Sequence, residues 1–322
     1  MDIYEKEFDI DLAEISTMIE SNANFALYSL ENGTQTDLSY ISESFNASKI
    51  KEIFQKIIDT IKKIGEKIYQ AASTKLTQME MQNRLADLKE QLAARRLLGT
   101  KIASEYNVRY KSTEKYMKDY KNYINDLVKY SKKLFYNDFD DPGKYIDQMN
   151  EYLAKLDKKY EDLLECSEKE IMAHDVLSNL EMSEKEIKNL KKNIAQMNGD
   201  SERAIRELDN LSRDYLSVLT SIDKTSKREK KKAENKIKRI QMLEKAGQKI
   251  ATVSKKAVKV IAFHPIEIGL LFSRKFAIIY NDKEYERVKS GIEKTIRNEK
   301  EGRKKEIDDI KNRTFKKHTG VD

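Results

Sequence analysis

The feature that most constrains this chain is a shortage: 2 prolines and 10 glycines punctuate 322 residues. Strands joined by turns need clusters of Gly, Pro, Asn and Asp about every 10 residues. Between Tyr106 and Ile222 only Asn137 to Gly143 and Asn198 to Asp200 qualify. Charged residues make up 36% of the chain, against roughly 25% in an average soluble domain. Apolar residues reach 39%, enough to bury a core where helices meet. Long amphipathic helices satisfy all three conditions. The fold class is therefore read as all-α, an elongated helical bundle with long antiparallel coiled-coil hairpins and little or no β-structure.

Apolar spacing divides the chain into five segments. Residues 1–45 carry ten acidic side chains and one basic one, Lys6, a net of −9. Ile10, Ile15, Met18, Ile19, Phe25 and Leu27 could line one face of a helix that ends near Asn32-Gly33. This reads as an acidic arm with a short helix, one that the rest of the fold could hold loosely. Residues 46–99 open with Ile50, Ile53, Phe54, Ile57, Ile58, Ile61, Ile64 and Ile68, a stripe at helical spacing. It continues less sharply to Leu97-Leu98-Gly99 as one amphipathic helix or two in line.

Residues 100–222 hold the clearest periodicity. Tyr116, Tyr120, Tyr123, Leu127, Tyr130 and Leu134 follow 4-3-4-3-4 spacing, the mark of a seam packed on another helix. After the loop Asn137 to Gly143 the pattern resumes as Tyr145, Met149, Tyr152, Leu156, Tyr160 and Leu163, which predicts a helical hairpin. A seam tyrosine supplies apolar area while its hydroxyl reaches the edge of the interface, so packing is the stronger reading over base stacking. Val176 to Ile222 then keeps one heptad phase across Asn198-Gly199-Asp200. That phase predicts a continuous rod, with Ser183 and Glu186 as a competing capping-box start.

Residues 223–259 form a basic helix: Lys224 to Lys259 holds fourteen Lys or Arg and three acids, a net of +11, against +7 for the whole chain. Lys227, Arg228, Lys230, Lys231, Lys232, Lys236, Lys238 and Arg239 are its candidate polyanion-binding residues, because each neutralised phosphate releases counterions. No aromatic is interleaved among them, which disfavours stacking or base readout. Nucleic acid, an acidic protein surface such as the arm at 1–45, and a merely solvated face remain open as its partner. Residues 260–322 complete the chain. Val258 to Tyr280 is the most apolar stretch; its longest uncharged run is far short of the ~20 residues a membrane span needs, so it reads as a buried helix pair hinged at Pro265. A polar C-terminal helix follows.

The sequence offers little to catalysis. His174, His264 and His318 lack a partner at ligand spacing, and Glu170 with His174 is a pairing that chance supplies on so charged a helix. No phosphate loop, dinucleotide turn or nucleophile elbow occurs. Cys166, beside Leu163 and Leu164, reads as a small hydrophobe rather than a reactive thiol, and a reducing compartment fits. The N-terminus lacks the basic start and apolar run of a secretory signal, so synthesis in the cytoplasm is expected. We expect no enzyme, no metal and no cofactor.

The acidic arm, the stripe Lys49-Ile50-Lys51-Glu52-Ile53-Phe54-Gln55-Lys56-Ile57-Ile58 and the Lys-rich segments beyond it resemble helical structural proteins of tailed bacteriophages from Lys/Ile/Asn-rich hosts, such as internal virion or prohead-core proteins. The resemblance is one of style over residues 1–100, and nothing is carried over position by position. It implies a non-enzymatic structural or assembly protein located in the virion. Its partners would be proteins met through helical seams, further copies of itself and, non-specifically, nucleic acid. The alternative is a helical membrane-acting protein, pore-forming or membrane-remodelling, that uses Val258 to Tyr280 with the Lys-rich segment on anionic lipid.

Overall fold

The structure is a computed structural model that describes residues 2–32, 46–78, 101–103, 113–164, 171–216 and 227–279, together with residues 298, 301, 302 and 305. The chain is all-α in character. Its helices are α1 (Asp2–Asn32), α2 (Ala47–Gln78), α3 (Thr113–Tyr136), α4 (Lys144–Lys159), the single turn α5 (Glu161–Leu164), α6 (Ala173–Leu216) and α7 (Lys227–Ile279). Two short strands, β1 (Lys101–Ala103) and β2 (Ile171–Met172), pair antiparallel, with Lys101 opposite Met172. The chain divides into two compact units. The first takes residues 1–78, 107–167 and 185–265, and the second takes 79–106, 168–184 and 266–322.

The first unit is a helical bundle whose cross-links fix the direction of each helix. Glu7, Asp11 and Glu14 of α1 pair with Lys67, Lys63 and Lys56 of α2, so these two run antiparallel. The α3–α4 hairpin is likewise antiparallel: Tyr130 stacks on Tyr152 at 3.6 Å, while Asp126 meets Lys159 at 2.7 Å. Thr113, Lys121 and Lys132 of α3 meet Glu186, Asp200 and Glu207 of α6 in the same order, which makes α3 and α6 parallel.

Local sequence explains most of these elements. All eight apolar stripe residues of α2, from Ile50 to Ile68, are buried as their spacing requires. Asn46 stands at the N-cap of α2, its Oδ1 accepting from the Lys49 amide at 2.9 Å. The hairpin loop is held by Asp141, whose Oδ1 accepts from the Gly143 amide at 2.9 Å. α6 runs unbroken through Asn198-Gly199-Asp200, as the heptad phase indicates, and has no separate start at Ser183. Glu186 serves another helix instead: its Oε1 accepts from the Thr113 amide at 3.3 Å, placing a carboxylate where the dipole of α3 favours one.

Three expectations change. α1 is 31 residues long, and it is packed rather than loose. Its inward face is Phe8, Ile15, Ile19, Ala23 and Ala26, while Ile10 and Phe25 are 65% and 47% exposed. The alanines allow close approach, and counting only large side chains had placed the face wrongly. Secondly, the chain does not divide between basic and apolar helices at residue 259, nor hinge into a helix pair at Pro265, because α7 is one helix of 53 residues. A proline removes one donor from a long ladder, and the surrounding turns hold the helix. Thirdly, the boundaries near 45, 99, 222 and 259 follow composition, whereas each compact unit collects three separate stretches of chain. Leu97 to Gly99, Cys166, Ile222 and the polar segment from Asp282 to Lys317, apart from residues 298, 301, 302 and 305, lie outside the described residues.

Candidate functional site

The basic segment is the N-terminal half of α7, and α7 runs through the middle of the first unit. From Ala233 to Phe263 its buried residues cover most of the helix and leave one stripe, through Glu234, Lys238, Lys245, Lys249, Thr252, Lys256 and Lys259, half-buried or exposed. Each neighbouring element leaves a mark on it. Gln248 donates to Leu12 O of α1 at 3.2 Å, and Lys255 pairs with Asp9 of α1 at 2.6 Å. Gly247 faces α2 so closely that a Cβ there would lie 3.2 Å from Ile57 Cδ1 and 3.3 Å from Phe54 Cε1. Lys249 meets Asp157 of α4 at 2.5 Å. Ser254 touches Tyr120 of α3 at 2.7 Å and Ser201 of α6 at 3.1 Å.

This placement divides the candidate polyanion-binding residues. Arg239 and Lys236 are buried. Arg239 Nε donates to Tyr145 Oη at 2.7 Å and Nη2 to Asp138 Oδ1 at 2.8 Å, with the guanidinium 5.1 Å over the Tyr145 ring. Burial lowers the Lys236 ammonium from its ordinary value, partly offset by Glu229. These two residues are structural and cannot belong to a solvent-facing cationic surface. Lys238 is half-buried and reaches Gln241 at 3.2 Å. Arg228, Lys230, Lys231 and Lys232 are exposed; Lys231 pairs with Asp140 at 3.2 Å and Lys232 with Glu229 at 2.6 Å. The side chain of Lys227 is outside the described residues.

The acids of other elements that meet the N-terminal part of this segment are Asp138 and Asp140 of the α3–α4 loop, where Asn235 Nδ2 also donates to Phe139 O at 3.2 Å; further along, Asp157 of α4 meets Lys249. The acidic arm pairs chiefly with Lys56, Lys63 and Lys67 of α2, and its Asp9 reaches the basic segment near its C-terminal end, at Lys255. Composition leaves the arm at 1–45 as one open partner of the basic segment; the Asp9–Lys255 pair is such a contact, whereas Asp138 and Asp140 meet its N-terminal part.

The candidate helix seam is assembled as its spacing implies, with Tyr116, Tyr120, Tyr123, Leu127 and Leu134 buried and Tyr130 half-buried. Ile124, Val128, Ser131 and Phe135 are buried as well, so α3 presents a wide face to several helices instead of a narrow seam to one. Hydroxyls cross to α4 and α5: Tyr123 donates to Asp157 Oδ1 at 2.7 Å, Tyr160 to Asp126 Oδ2 at 2.9 Å and Tyr116 to Leu163 O at 3.1 Å. Burial, then the bond to Asp157, pushes the Tyr123 phenol well above its usual range. Burial works upward on Asp126, but hydrogen bonds from Lys159 and Tyr160 outweigh it and hold the carboxyl below its ordinary value.

Tyr120 departs from the seam pattern. Its hydroxyl reaches no interface edge; it lies fully buried against Ser201 and Ser254, and burial pushes it up to about 12. Each serine also donates to the carbonyl four residues back, Met197 O at 2.9 Å and Ile250 O at 2.7 Å. This knot joins α3, α6 and α7. Ser201 occupies a core position of the α6 heptad, four residues after Met197 and three before Ala204, and that interruption was its only sequence signal.

Glu244 is the other group that sequence reasoning passed over, counted merely as one of three acids in a basic run. It has no exposed surface, neither carboxyl oxygen has a hydrogen-bond partner, and burial alone pushes it up to about 8. Among the described residues no group of three or more His, Cys, Asp or Glu is placed to hold a metal ion. Comparison with family models, curated proteins and solved structures finds no match.

Proposed function

We propose that this chain is a non-enzymatic structural or assembly protein of a macromolecular complex, and that the complex is a tailed-phage virion or prohead. The observation that supports a structural role is the use made of ionisable groups in the bundle. Glu7, Asp9, Asp11, Glu14, Asp126, Asp138, Asp157 and Glu202 each pair with a cation on a different element. Charge is spent on setting one helix against another, as suits a part that must hold its shape within an assembly. The phage setting rests on the resemblance of residues 1–100.

Particles purified by density gradient from the source culture provide the test. The chain should band with capsid-sized particles in stoichiometric amounts, and its absence from them would refute the virion assignment. An elongated molecule fits the same role, and a small-angle scattering profile of a compact sphere would count against it. Arg228, Lys230, Lys231 and Lys232 remain the outward part of the basic set. If they contact DNA through phosphates, a gel shift at ~50 mM salt should be indifferent to sequence and should vanish steeply as salt rises.

A membrane-acting role through Val258 to Tyr280 requires Val258, Val260, Ile261, Ala262 and Phe263 to leave the interior of the first unit. No helix among the described residues is long and apolar enough to cross a membrane. Co-sedimentation of the folded protein with anionic liposomes would favour that role over the structural one.

A further inference from the structure

Glu244 points at the join between α7 and the α1–α2 hairpin. On a helix of about 3.6 residues per turn it lies between Gly247, which faces Phe54 and Ile57 of α2, and Gln248, which bonds Leu12 O of α1. Such a carboxyl can be accommodated while neutral, but an ionised one without partners is strongly disfavoured in an apolar interior. We propose that Glu244 is a pH-sensitive latch: protonated, it lets the α1–α2 hairpin close on α7, and on losing its proton it loosens the hairpin from α7.

The charged groups around it are committed elsewhere. On α1 and α2, Glu14 pairs with Lys56 and Asp11 with Lys63. On the α4 side, Asp157 takes Lys249 and the Tyr123 hydroxyl. Tyr120 of α3 and Ser201 of α6, both neutral, meet α7 at Ser254, about 15 Å further along, and Asp209, a buried carboxyl of α6, pairs with Arg213 at 2.9 Å. None of these supplies a hydrogen bond or a charge to Glu244, whose shift has burial as its sole cause. A cation at this place would have held the carboxylate ionised and removed the pH dependence.

The direction follows from linkage. Glu244 keeps its proton up to about pH 8 in the closed bundle, whereas an exposed glutamate titrates near 4.5. The closed state therefore binds the extra proton. Its advantage is complete below pH 4.5, falls as pH rises from there to about 8, and does not change further above. The inference is independent of the structural role proposed above.

Hydrogen exchange on the full chain at pH 5 and pH 9, corrected for intrinsic rates, tests it. Protection of the described parts of α1 and α2 should fall by up to about a thousandfold in wild type, close to one decade per pH unit across the window. Glu244→Gln, which carries no titrating proton, should hold its protection at both pH values. Glu244→Leu should behave likewise and covers the case in which the amide itself packs badly. The latch is refuted if wild type shows no pH response, if both variants lose protection as wild type does, or if α3 and α6 lose as much as α1 and α2.

Discussion

The α3–α4 hairpin and α7 are built from similar residues and use them in opposite ways. In the hairpin, lysines such as Lys129, Lys133 and Lys158 face water, and buried residues keep to faces that spacing identifies. In α7 the same residue type is taken inside: Lys236 and Arg239 are buried, and Glu244 has no exposed surface. The difference lies in neighbours. α7 touches α1, α2, α3, α4 and α6, so its buried surface is wide enough to take in charged residues, and only a narrow stripe through Lys238, Lys245, Lys249, Lys256 and Lys259 stays half-buried or exposed. Charge density along a sequence therefore does not measure exposure. A long stem can be buried wherever its charged end finds an acceptor.

The largest expected effect lies in the hairpin. Leu127→Asp places a charge at a position with 0% exposure and should cost about 4 kcal/mol or more, on the scale of buried unpaired charges. Lys121→Asp, on a side chain 49% exposed and 3.9 Å from Asp200, should cost about 1 kcal/mol at most. Urea midpoints measure both. Equal losses would mean that the faces of α3 are wrongly assigned.

In α7 the corresponding pair is Arg239→Ala and Lys230→Ala, which a composition-based reading of the basic run treats as equivalent. Arg239 bonds Tyr145 and Asp138 across the bundle and packs on the Tyr145 ring, so its loss should cost about 2 kcal/mol. Lys230 is exposed, and its loss should fall within about 0.5 kcal/mol. Two small, equal effects would return the whole run to the surface and remove the contrast between the regions.

Legibility in the sequence follows the same division. The α2 stripe, the α3–α4 hairpin with its loop at Asn137 to Gly143 and the continuity of α6 through Gly199 were all legible, because each depends on apolar period and local turn chemistry. The inward face of α1 was misplaced, since Ala23 and Ala26 carry no hydrophobic weight in a pattern dominated by Ile and Phe. The unity of α7 was missed because a shift from basic to apolar composition resembles a boundary, yet the backbone continues through Pro265. The pairing of Arg239 with Asp138, 101 residues away, is tertiary information that periodicity does not contain. The same is true of the knot at Tyr120, Ser201 and Ser254.

That knot gives the smallest effect and the finest test of the comparison. Three hydroxyls bring three protons to five contacts: the three among themselves and the two from the serines to Met197 O and Ile250 O. With both serine protons on carbonyls, the Tyr120 proton can serve only one serine at a time. Tyr120→Phe then leaves Ser201 and Ser254 still bonded to their own helices and strands no donor, so the loss should be about 1 kcal/mol, one net hydrogen bond. Tyr130→Phe in the hairpin removes a half-exposed hydroxyl 3.4 Å from Gln148 O that water can replace, and should cost about 0.3 kcal/mol or less. A loss at Tyr120 well above that scale would show that the three hydroxyls reinforce one another. The excess coupling would appear in a double-mutant cycle with Ser254→Ala. Equal losses at Tyr120 and Tyr130 would mean that burial around α7 adds nothing to a tyrosine hydroxyl beyond what the hairpin gives it.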